Sequence, residues 1–198
     1  MSQTCSEKAL LLHKEAKKLL ENAYFWEPFE QGKIYPSGSY FLDLLASLDL
    51  DVYFVPGKTK KSVEDIFANA AKFYVKHASV VSIRVEKALH TQYTTVPKGY
   101  YLQVKIEVPS GNIWQVDIWT LSDKRVLDKL LNETNILKSK IDPKTRALIL
   151  KTKNAILRPD GSTPSFSSYY IYKAILEEGL KGLKDIKAYL VQNGIKLT

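Results

Sequence analysis

Residues 38–55 read GSYFLDLLASLDLDVYFV, and the fold turns on how the last eight of them, LDLDVYFV, are taken. Their alternation and their valine and aromatic content are those of a strand, which Pro56-Gly57 would end. Residues two apart in a strand share a face. Asp49 and Asp51 therefore point one way, and Leu50, Val52 and Phe54 the other. Burying an unpaired carboxylate is costly, and two side by side repel unless a cation or proton lies between them. Hard divalent ions such as magnesium take this kind of oxygen ligand, together with substrate phosphates. A simply solvated face is the competing reading, and it suits Glu86 and Glu107, whose strands alternate with Arg, Lys and Gln. Asp49 and Asp51 have no such neighbours on their strand.

Outward from this stretch, GKIYPSGS (32–39) supplies a short strand and a turn, and YFLDLLASL (40–48) a short helix. Upstream, Thr4 to about Ala23 has helical spacing, with Leu12, Ala16, Leu19 and Ala23 on one face and a capping box in Thr4 and Glu7. Downstream, Lys61 to about His77 reads as a helix with Val63, Ile66, Phe67 and Ala70 inward. Three strand-like segments follow: SVVSIRVEKAL (79–89), YYLQVKIEV (100–108) and IWQVDIWTL (113–121). Ser110-Gly111-Asn112 joins the last two as a hairpin turn. Asp117 sits inside the third, between Val116 and Ile118. If that strand lies beside the Asp49 strand, three carboxylates converge, a set able to hold two metal ions for phosphoryl or nucleotidyl transfer. A Gly-Ser turn feeding a helix suits phosphate oxygens, which gives Gly38 and Ser39 a place in the same pattern.

Gly38-Ser39, nine residues, Asp49-x-Asp51 and then Asp117 on a later strand together resemble the polymerase-beta-like nucleotidyltransferase superfamily. The resemblance covers residues 33–121. It implies a mixed α/β sheet with flanking helices, a nucleoside triphosphate substrate (ATP by family habit) and two magnesium ions, with manganese able to serve. It makes Asp49 and Asp51 the paired metal ligands. Asp117 becomes the third ligand, which helps activate an acceptor hydroxyl, and Gly38 and Ser39 become the triphosphate grip. The expected reaction is transfer of a nucleotidyl group with release of pyrophosphate. The acceptor is left open among RNA, a protein hydroxyl, a small molecule and a second nucleotide. The alternative is a catalytically inactive module of this fold that binds RNA or a protein partner.

From Asp123 onward the sequence reads as all-helical, with helices near 123–137, 143–156, 165–178 and 183–193 and caps at Gly179 and Gly194. The expected organisation is an α/β domain over 1–122 and a helical region over 123–198 packed on it. Between Lys138 and Arg158, seven basic residues face one acid, Asp142. Lys144, Lys151 and Arg158 form one helical row and Arg146 and Lys153 another. One row could neutralise a triphosphate, and Lys151 is assigned that role; a solvated flank is the competing reading. By analogy of position with the superfamily, Ser168 and Tyr169 fall where base and sugar would bind. Helix capping and core packing would explain the Ser/Tyr cluster equally well.

The rest of the composition bounds the setting. The net charge of +8 and a pI near 9.3 favour polyanionic partners. Cys5 is the single cysteine, which excludes an internal disulfide and fits a reducing, cytoplasmic compartment. His13, His77 and His90 lack ligand spacing and read as structural. No stretch approaches the length of a membrane span, and no signal-peptide pattern opens the chain.

Overall fold

The computed structural model describes residues 4–88, 99–121 and 124–197. The readings of Leu89 and His90, and the expected junction at residues 122 and 123, lie outside these. The chain opens with α1 (Cys5–Leu20), capped by the expected box: the Thr4 side chain accepts from the Glu7 amide, and the Glu7 carboxylate accepts from the Thr4 amide. A short α2 (Ala23–Trp26) and one 3-10 turn (Glu27–Phe29) lead into β1 (Gly32–Pro36). Then come α3 (Gly38–Phe41), β2 (Asp49–Pro56), α4 (Val63–Val75), β3 (Val80–Ala88), β4 (Gly99–Glu107) and β5 (Ile113–Thr120). The helices α5 (Lys124–Ser139), α6 (Pro143–Asn154), α7 (Ser167–Leu176) and α8 (Leu183–Gln192) complete it.

The strands form one mixed sheet in the order β1-β2-β5-β4-β3. β2 and β5 run parallel, while the other neighbouring pairs are antiparallel. The alternation of β2 is resolved as the sequence predicts. Leu50, Val52 and Phe54 are fully buried, together with Val104, Val116, Ile118, and Ile66 and Phe67 of α4. Their core also takes Leu12, Ala16 and Leu19 from α1, so both helices cover one face of the sheet. The opposite face carries Asp49, Asp51 and Asp117.

A second cluster joins Ile149 and Leu150 of α6, Ile171 and Ile175 of α7, and Ile186 and Leu190 of α8. Ala9 of α1 and Leu42 and Leu44 belong to it too, so residues from both stretches of the sequence share this core. The short helix expected over 40–48 is a correction: α3 ends at Phe41, and Asp43 adopts a left-handed φ of 58°. The leucine-rich run cannot stay helical because its leucines serve two cores, Leu42 and Leu44 the helical cluster and Leu45 the sheet cluster. At the far end, Gly194 has φ 80°, its amide donates to the Val191 carbonyl, and the Ile195 amide donates to the Leu190 carbonyl. That is a full Schellman stop for α8.

Candidate active site

Strand register assembles the carboxylates. Asp51 of β2 lies directly opposite Asp117 of β5, and Asp49 lies opposite Gln115. Adjacent strands stand about 4.8 Å apart, so three half-buried aspartates share one small area of the sheet face. Each carboxyl is pushed up from its ordinary range, first by burial. For Asp51 the Asp117 charge adds to this and takes it to about 7. Asp49 is raised further by Asp51 and Asp117. Asp117 is raised least freely, since side-chain hydrogen bonds oppose the effect of burial. Its Oδ1 accepts from the Tyr101 hydroxyl at 2.8 Å and from Gln103 Nε2 at 3.1 Å, and its Oδ2 accepts from Gln115 Nε2 at 3.1 Å.

The Gly-Ser turn is built against this cluster. Gly38 has φ 54°, and a Cβ placed on it would sit 2.5 Å from Asp51 Oδ2. Both facts require glycine. The Ser37 amide donates to the Asp51 carbonyl at 2.9 Å, which ties the turn to β2. Ser39 then receives the ammonium of Lys153, at 2.7 Å from its Oγ, and lies 3.3 Å from the Tyr172 hydroxyl. Lys153 is 1% exposed and also donates to the Leu44 carbonyl at 2.9 Å.

The residues expected from sequence are thus placed unevenly. Asp49, Asp51, Asp117, Gly38 and Ser39 come together. Lys151 is exposed on α6, and the lysine brought to Ser39 is Lys153, two residues on. Ser168 is half-buried in the first turn of α7, one turn before Tyr172, while Tyr169 is exposed and meets Tyr170 edge to face. Sequence reasoning missed Lys153, Tyr172 and the three donors around Asp117. The signal for Lys153 was its helical position: it shares a face with Ile149 and Ile156, which pack inward. For Gln103 and Gln115 it was strand parity, which puts both on the aspartate face.

Among the described residues no three His, Cys, Asp or Glu side chains enclose a common point for an ion. The donors nevertheless fit a hard divalent cation in their chemistry. They are oxygen ligands, mutually repelling and desolvated, of the sort such an ion takes one or two at a time alongside phosphates. A cavity of about 810 Å³ lies elsewhere, between α1 (Leu11, Leu12, Lys18) and the β4–β5 turn (Pro109, Asn112). Its one carboxylate, Glu15, is already engaged by Asn112 and Trp114, at 2.9 and 2.7 Å, so the aspartate cluster is the better candidate site.

No family model matches the chain, and no curated protein matches it. Solved structures do. Cid1, described for its RNA terminal uridylyl transferase activity, superposes with a TM-score of 0.55 at 17% identity over 83% of this chain. A cytoplasmic RNA terminal U-transferase gives 0.53 at 16% over 83%. The Cid1 poly(U) polymerase with MgGTP bound gives 0.56 at 16% over 83%. The chain spans about half of each of these, 48%, 47% and 49%. At such identities the likeness establishes the fold, a nucleotidyltransferase-type mixed sheet with flanking helices.

Proposed function

We propose that the protein is a metal-dependent nucleotidyltransferase, which moves a nucleotidyl group from a nucleoside triphosphate to an acceptor hydroxyl and releases pyrophosphate. The observation that carries this reading is the register that sets Asp51 opposite Asp117, with Asp49 two residues away and Gly38-Ser39 packed against Asp51. Residues 1–122 would form the catalytic domain, and the helical region 123–198 would close over the nucleotide. Asp49, Asp51 and Asp117 would hold two magnesium ions, or manganese. The ions would offset charge on the phosphates and on the attacking oxygen.

The chain's own residues do the positioning. Gly38 lets backbone approach the β- and γ-phosphates, and the Ser39 hydroxyl binds them. The Lys153 ammonium, beside Ser39, supplies the nearby positive charge. Ser168 and Tyr169, one turn and less from Tyr172, face base and sugar. Asp117 takes the proton of the acceptor hydroxyl as the acceptor oxygen bonds to the α-phosphorus and the bond to the β-phosphate oxygen breaks. ATP is the nucleotide expected from family habit, and RNA is the acceptor best supported. The matched structures are RNA terminal uridylyl transferases, and Arg84 and Lys105 extend the aspartate face across β3 and β4 through the register Arg84–Gln103–Asp117. The net charge of +8 agrees. A reducing, cytoplasmic setting accords with the lone cysteine, and no helix among the described residues is long and apolar enough to cross a membrane.

The test is incubation with each labelled nucleoside triphosphate, magnesium and a short single-stranded RNA, run beside Asp49→Asn and Asp117→Asn. Label should enter the RNA only with the unaltered protein. Undiminished transfer by both variants would refute the assignment. RNA binding with no transfer and no dependence on Asp49 would favour the inactive module.

A further inference from the structure

We infer that the Gln115 side-chain amide competes with a divalent ion for the Asp49 and Asp117 oxygens and yields its place when the ion binds, which makes Gln115 a positioning residue of the metal centre. The inference rests on the reading of the aspartates as metal ligands. Gln115 Nε2 lies 3.1 Å from Asp117 Oδ2 and 3.5 Å from Asp49 Oδ1. The nitrogen end of the amide is the one that faces both acids. The NH₂ group therefore sits between two carboxylates on neighbouring strands, where a positive charge is wanted.

The other contacts single out this donor. Asp117 Oδ1 already has Tyr101 and Gln103, whereas Oδ2 has Gln115 alone among the described residues. Tyr101 and Gln103 also bond to each other at 2.8 Å, so they form a braced pair, while Gln115 reaches out to two acids. Its backbone is fixed in β5 opposite Asp49, but its side chain has three rotatable bonds and is half-buried. It can swing aside without disturbing the sheet. An amide offers only partial positive charge, so a full cation with the same oxygen partners displaces it.

The experiment measures manganese binding by calorimetry to the chelator-treated protein, with Gln115→Met and Gln115→Lys beside it. Methionine keeps the volume and removes the donor; lysine makes the positive charge permanent. The methionine variant should bind manganese more tightly, on the order of tenfold for one lost hydrogen bond to a charged group. The lysine variant should lose binding, and its metal-free melting temperature should rise while that of the methionine variant falls. A merely structural glutamine would weaken both variants alike. Equal or weaker binding by the methionine variant, with binding by the unaltered protein intact, overturns the inference and spares the functional reading. Should the methionine variant fail to fold, retained manganese affinity in the lysine variant overturns it as well. No manganese binding by any of the three, even with a nucleoside triphosphate present, refutes the metal site and the inference with it.

Discussion

Asp51 has the most informative titration in the molecule. Burial and the Asp117 charge hold its carboxyl at about 7 in the folded protein, against about 3.9 for an unfolded aspartate. The folded state therefore binds the extra proton across that window, and the stability it contributes is lost as pH rises from about 4 to about 7. Metal-free protein should melt at progressively lower temperature over this range relative to Asp51→Asn, which removes the titration. Added magnesium should recover the loss at the upper end. A constant difference between the two melting curves would contradict the placement of the three acids. Gly38 gives a second residue-scale outcome. Alanine there must take up φ 54° and meet Asp51 Oδ2 at 2.5 Å. Gly38→Ala should cost roughly 1–3 kcal/mol in urea unfolding and abolish transfer, whereas an alanine at Gly111, whose added Cβ meets nothing within 4 Å, should leave transfer intact.

At the scale of elements, α6 carries the discriminating comparison. Lys151 and Lys153 sit two apart on one helix, so they lie on different sides of it, one exposed and the other buried against Ser39. Lys153→Met should raise the KM for nucleoside triphosphate by tenfold or more with a smaller loss in kcat. Lys151→Met should change KM little, and steady-state kinetics on the pair will tell. The same helix shows where sequence reading stops. Period-two alternation made β2, β4 and β5 legible, and with them the aspartate face. The capping signal at Thr4, and the glycines ending α7 and α8, were equally local. Which lysine of a basic helix turns inward depends on the helices packed around it. The true end of α3 was hidden for a similar reason, since Leu42, Leu44 and Leu45 look like one apolar face until two separate cores claim them. Gln115 shared a face with Asp49 and Asp117 by parity alone, but its role needed the strand pairing that no local pattern supplies.

For the whole molecule, the decisive segment is Tyr40–Leu44, where the two cores meet just after the phosphate turn. Three helices reach it. His13 of α1 stacks on Tyr40 with ring centroids 4.3 Å apart, and Lys138 of α5 donates to the Phe41 carbonyl at 2.7 Å. Arg146 of α6 binds Asp43 Oδ2 through Nη2 at 3.0 Å and through Nε at 3.1 Å, and Lys153 binds the Leu44 carbonyl. A segment held from this many sides cannot move without moving α6, so a ligand that orders Ser39 should also order the helices. Magnesium and a nucleoside triphosphate should therefore slow hydrogen exchange in α6 and α7 as well as in the 37–44 turn. Arg146→Ala removes one tether, a partly exposed ion pair worth about 1 kcal/mol. It should weaken nucleotide binding and blunt the protection in α6, while manganese affinity, set on β2 and β5, stays the same. Exchange mass spectrometry of both proteins, with and without nucleotide, reads all of this. Protection confined to residues 37–51 in the unaltered protein would show the helices to be uncoupled from the turn. Full protection retained in Arg146→Ala would assign the coupling to Lys153 and Leu44 instead.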